Sequence, residues 1–133
     1  LIKKYFTGFL SLIVFSGLIS PEPKVYFINL QEGDVVESPV FIQFGLSGKG
    51  IAPAGVARPD TGHHHLLIDV GTYLDYSKPI PATNKHIHFG GGQTETSIDL
   101  LPGQHELQLI LGDLYHVPLS PPITSEKIKI LVR

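Results

Sequence analysis

Apolar residues in this chain recur at every second position, in short runs separated by stretches rich in glycine and proline. Val40, Ile42, Phe44 and Leu46 form one run, Leu107, Leu109 and Leu111 another with His105 in the same register, and Ile128, Ile130 and Val132 a third. A period of two sends alternate side chains to opposite faces of a strand, so one face can enter a core while the other meets water. Beyond residues 1–20, no stretch keeps apolar spacing at i, i+3, i+4 and i+7, so the pattern predicts strands rather than helices. Fourteen Gly and eleven Pro in 133 residues supply the turns between them.

Strands are expected over residues 25–30, 40–46, 63–70, 94–100, 105–111 and 126–132, with a short piece at 86–89. Six to seven short antiparallel strands with frequent turn signals predict an all-β, immunoglobulin-like β-sandwich. Its length suits one domain, residues 21–133. Inside that domain, Leu66, Ile68 and Val70 are expected to face the core together with His64. His63, His65, Leu67 and Asp69 then face the other way.

Residues 1–20 read as a secretory leader, with an uncleaved anchor as the alternative. Lys3 and Lys4 form a charged start, residues 5–19 an apolar run, and Ser16 or Ser20 offers a small residue for cleavage. The expected location is periplasmic or secreted. Cys is absent, so stability must come from the core and from whatever the domain binds. Without Lys3 and Lys4, eight basic residues face twelve acidic ones, and no basic block exists. That argues against nucleic acid, and against a membrane beyond the leader, as a partner.

The chemistry concentrates in histidine. His63, His64 and His65 run directly into Leu66, Leu67, Ile68 and Asp69. They are too few, and too deep in the chain, for an expression tag. In an immunoglobulin-like sandwich, segments 63–70 and 105–111 are antiparallel neighbours in one sheet, and segments 40–46 and 94–100 are neighbours in the other. One end of the sandwich then gathers His63, His64, His65, His86, His88 and His116, with Arg58, Asp60, Asp113 and Tyr115. His105 falls at the opposite end, beside the turn at Leu101, Pro102, Gly103 and Gln104.

Histidine is the commonest metal ligand. His63 and His65 sit two strand residues apart, roughly 6.6 Å by strand rise, and can converge on one ion. His86 and His88 repeat that spacing. His116, Asp60 or Asp113 could complete tetrahedral zinc or tetragonal copper(II). Cys and Met are both absent, which removes the soft ligands that copper(I) prefers. Imidazole must be neutral to coordinate, so binding is expected to fade below pH ~6.5. A structural reading stands beside this one. His64 would hydrogen-bond a loop carbonyl from inside the core, His105 would bond across its corner, and the others would tie loops together. The domain would then bind a cell-wall glycan, a protein or another small ligand without metal, with Tyr73, Tyr76 and Tyr115 as contacts.

Enzymatic readings have less to stand on. Asp113 and His116, with Ser120 or Ser125, supply the residue types of a hydrolase triad but no nucleophile elbow. Asp60 and Asp113 could pair as acid and base, and Gly90, Gly91 and Gly92 lack the lysine of a phosphate loop.

Two motifs carry a resemblance. One is Gly62, His63, His64, His65, Leu66, Leu67, Ile68 and Asp69. The other runs from Leu101 through Gly103, His105 and Leu109 to Gly112, Asp113, His116 and Pro118. With them the chain resembles the uncharacterised bacterial family catalogued as domain of unknown function 4399, over nearly all of residues 40–133. The resemblance implies an exported protein with motif positions at His63, His64, His65, His105, Asp113 and His116. It implies no particular activity.

Overall fold

The computed structural model describes residues 21–71 and 74–133. Residues 1–20, where the leader is expected, and Tyr73 lie outside the described residues. Among the described residues every regular element is a strand: β1 (Lys24–Phe27), β2 (Val35–Val36), β3 (Val40–Ser47), β4 (Gly50–Ile51), β5 (Thr61–Ile68), β6 (His86–His88), β7 (Glu95–Ile98), β8 (Gly103–Gly112) and β9 (Ile128–Val132). None of them is a helix long and apolar enough to cross a membrane.

The strands form two sheets. One has three strands in the order β1-β3-β7, and both pairings are antiparallel. The other runs β2-β9-β8-β5-β4, with β6 also pairing with β5. Antiparallel β5–β8 and β8–β9 pairs form its centre, while β2 and β4 join in parallel. The expected neighbours 63–70 with 105–111, and 40–46 with 94–100, are therefore paired. The two parallel pieces were not expected. Each is two residues long, set among Gly, Pro and Ser, and too short to display a period.

The main core lies between the sheets. Val40, Ile42 and Phe44 from β3 meet Leu66 and Ile68 from β5, Leu107, Leu109 and Leu111 from β8, and Ile128, Ile130 and Val132 from β9. Ile98 and Leu100 pack against it. A second, smaller cluster of Leu67, Ile80 and Ile110 covers the far face of the larger sheet. Val70, expected in the main core, packs on this second cluster instead. The cause is local: Asp69 takes a φ of 53°, so strict alternation ends one residue earlier.

Strand β5 is the axis of this arrangement. It has partners on both edges, with β8 on one side and β4 then β6 on the other. Both of its faces are covered, and every residue from Gly62 to Ile68 is buried. That environment is ordinary for leucine and unusual for three consecutive histidines.

Candidate metal centre

Alternation along β5 splits the histidine triplet. His64 points between the sheets, with its ring 5.2 Å from that of Phe44. His63 and His65 point to the opposite face, where their ring centroids lie 4.8 Å apart. The site therefore sits on the outer face of the larger sheet rather than on the rim between layers. A strand of period two cannot send neighbouring residues the same way.

Two further rings arrive from other elements. His88 ends β6 and lies opposite His65 in the β5–β6 register. His116 comes from the turn after β8. Asp113 shapes that turn: its Oδ1 accepts from the backbone N–H of Tyr115 at 2.8 Å and of Val117 at 3.0 Å. The Val117 carbonyl accepts from Asp113 N–H, and the Asp113 carbonyl from His116 N–H. His116 closes the turn with a φ of 66°, a left-handed conformation that glycine or asparagine normally fills.

His63, His65, His88 and His116 present one ligand atom each, and these four atoms all lie within 4.8 Å of one another. His63 Nε2 is 3.0 Å from His65 Nε2 and 3.2 Å from His116 Nδ1. The centroids of His88 and His116 are 4.4 Å apart. Around a tetrahedral zinc with Zn–N bonds of 2.0–2.1 Å, neighbouring nitrogens stand about 3.3 Å from each other. The group could hold a metal ion.

Glycines make room for these rings. A Cβ on Gly112 would come within 2.7 Å of His65 Nε2, and one on Gly90 within 2.2 Å of His88 Cε1. Neither requirement is visible in the sequence, where Gly90 reads as part of a turn and Gly112 as the start of a loop.

Burial sets the electrostatics. It is the main cause that pushes His63 down to about 4 and His65 down to about 3; the neighbouring imidazoles add to the effect, and Asp113 partly opposes it at His63. His88 is lowered too, first by burial and then by His116. In the folded chain His63 and His65 are thus neutral, and competent as ligands, well below the pH expected from free imidazole. Their Nδ1 atoms are buried with no hydrogen-bond partner among the described residues.

The remaining expected site residues go elsewhere. His86 shares the outer face but lies two residues further along, opposite Leu67, and its Nδ1 is 2.8 Å from Thr83 Oγ1. Asp60 turns to Lys49 at 2.7 Å and is largely exposed, so it stays out of the group. Arg58 and Asp113 border a cavity of about 230 Å³ beside His63, and Asp113 is occupied with the turn. His64 does not make the expected bond to a loop carbonyl. Both its ring nitrogens are unpartnered, because its inward register places it among apolar side chains. His105 does bond across its corner, to Asp69 Oδ2 and to the Leu101 carbonyl, each at 2.8 Å.

The family model described as Domain of unknown function (DUF4399) matches residues 42–133, a span that contains all four converging histidines. The chain belongs to this family. Within the DUF4399 match lie β4 through β9 and all of β3 but its first two residues, while β1 and β2 precede it. No curated protein and no solved structure matches the chain.

Proposed function

We propose that this protein is an exported domain that binds one divalent transition-metal ion, zinc or copper(II), through His63, His65, His88 and His116. The observation that carries the reading is the meeting of four imidazole nitrogens within 4.8 Å, two of the rings being fully buried. A neutral ring nitrogen carries either one proton or one lone pair. His63 Nε2 faces two ring nitrogens and can fully satisfy only one of them. A cation at the centre accepts every lone pair at once. Imidazole suits zinc and copper(II), and the chain offers no thiol or thioether to favour a softer ion.

Export is supported by Lys3 and Lys4 ahead of the apolar residues 5–19. The immunoglobulin-like reading is supported by the two layers and by the pairing of β5 with β8 and of β3 with β7. One observation favours a second reading: the contacts of 3.0 and 3.2 Å could be ring-to-ring hydrogen bonds that tie loops together in a metal-free binding module.

Elemental analysis of protein purified without a nickel column, followed by titration with zinc and copper(II), separates the two. Near-stoichiometric uptake is expected, and the double variant His63→Ala, His65→Ala should take up none. A wild-type chain that binds neither ion at micromolar concentration would leave only the hydrogen-bonded module.

A further inference from the structure

The four ligands are not held alike. His63 and His65 stand on β5, the most enclosed strand of the molecule. His88 ends a three-residue strand and is exposed, and His116 sits half-buried in a turn. The two outer segments are not paired with each other as strands, and each reaches the site from its own edge of β5.

Two consecutive amides bridge them. Ala54 N–H donates to the Gly90 carbonyl at 2.9 Å, and Gly55 N–H donates to the Leu114 carbonyl at 3.0 Å. Gly90 follows His88 by two residues, and Leu114 precedes His116 by two. One short strap thus grips both outer ligand segments at equivalent points. Its geometry depends on Gly55, whose φ of 77° lies in the left-handed region. The strap is not packed down onto the domain. Beside it lies the cavity of about 230 Å³ bordered by Pro53, Val56, Arg58, His63 and Leu114, and Pro53, Gly55 and Val56 are exposed.

We propose that Ala54 and Gly55 are positioning residues for the metal site: closed, the strap gives the ion four imidazoles, and loosened, it leaves the ion on His63 and His65 alone. The strap thereby sets both the affinity and the rate at which the ion leaves past exposed His88 and half-buried His116. This rests on the metal reading above. It adds a control that the ligand set alone does not contain.

Gly55→Pro removes one donating N–H and cannot adopt a positive φ. Gly55→Asn keeps the N–H and tolerates the left-handed region. Using the full chain with copper(II) as the probe, electron paramagnetic resonance would count the coordinated nitrogens, and transfer of zinc to a chromophoric chelator would give the release rate. The wild type and Gly55→Asn should show a four-nitrogen site. Gly55→Pro should show fewer nitrogens, an affinity weaker by about 10–100-fold, the usual range for losing an outer support of a metal site, and faster release. Melting in chelator would establish that the variant is folded; if it is not, Ala54→Pro tests the same prediction from the Gly90 side. A folded proline variant with unchanged nitrogen count and affinity overturns the strap proposal alone. A wild type that takes up no ion overturns the metal reading along with it.

Discussion

Two groups of histidines in this molecule have their ring nitrogens treated in opposite ways. At the corner before β8, His105 spends both ring nitrogens on protein oxygens, those of Asp69 and Leu101. Asp69 is itself tied down, since its Oδ1 accepts from Glu106 N–H at 2.8 Å. On the outer face of β5, the ring nitrogens of His63, His65 and His116 face one another, and the Nδ1 atoms of His63 and His65 face no partner. A saturated imidazole is a brace. An imidazole aimed at other imidazoles has lone pairs to give away, and burying it in that state costs free energy that only a ligand returns. Position near a loop does not distinguish the two; the partners of the nitrogens do.

Acid should separate them most strongly, because the shifts have opposite signs. His63, His64 and His65 are depressed by burial, to about 4, about 4 and about 3. As pH falls below 6.5 the unfolded chain protonates first, so the folded state loses stability from there down to the folded values, and the loss is complete below them. For His64, whose depression has burial as its one cause, the full loss is about 3 kcal/mol. At His105 burial opposes protonation, but the Leu101 carbonyl and the Asp69 carboxylate outweigh it and raise the pKa. Its contribution is therefore present below 6.5 and fades as pH rises through the raised value. Urea unfolding in chelator from pH 8 to pH 4 should show the large acid-side loss, and His64→Leu should reduce it. A flat profile in the wild type would mean that the triplet is not buried as described. With zinc present, the part of uptake that depends on His63 and His65 should persist below pH 6.5, because protons compete at those two rings only near their lowered values.

The brace should be next in size and should leave the metal untouched. His105→Ala removes two bonds to protein oxygens, one of them to a carboxylate, and is expected to cost about 2 kcal/mol near neutral pH. Zinc uptake should equal that of the wild type. If His105→Ala instead weakened uptake, the corner and the cluster would be one coupled system and the contrast between them would be false.

Much of this was legible in the residues, and the part that was not has physical causes. Strict alternation marked β3, β8 and β9 and their inward faces, and the pairing of the 63–70 segment with 105–111 followed from topology. The triplet's division into His64 on one face and His63 with His65 on the other followed from the strand period alone. Hydrogen-bond competition was invisible: Thr83 takes His86 and Lys49 takes Asp60, and both partners lie in stretches with no period to read. So was clearance. Gly90 and Gly112 matter because of the rings that press on them, and those rings arrive from elsewhere in the chain. Val70 was misplaced because one positive φ at Asp69 ends the alternation, and no residue pattern announced it.

The smallest effect is also the one that sets the two roles against each other within a single residue. His116 closes the turn after β8 in a left-handed conformation, a position where a non-glycine residue costs about 1–2 kcal/mol. The turn does not need an imidazole there. Asp113 already accepts from Tyr115 and Val117, and His116 contributes its main chain, donating to the Asp113 carbonyl and accepting from Ile80 N–H. Glycine would keep all of these bonds and relieve the backbone. His116→Gly is therefore expected to make the metal-free domain more stable by about 1 kcal/mol while weakening metal uptake, the two measured by urea unfolding in chelator and by titration with zinc. A purely structural histidine would behave in the reverse manner, losing stability on substitution. If His116→Gly were less stable in chelator, the ring would be bracing the turn as His105 braces its corner, and the place where the nitrogens meet would be a network rather than a site.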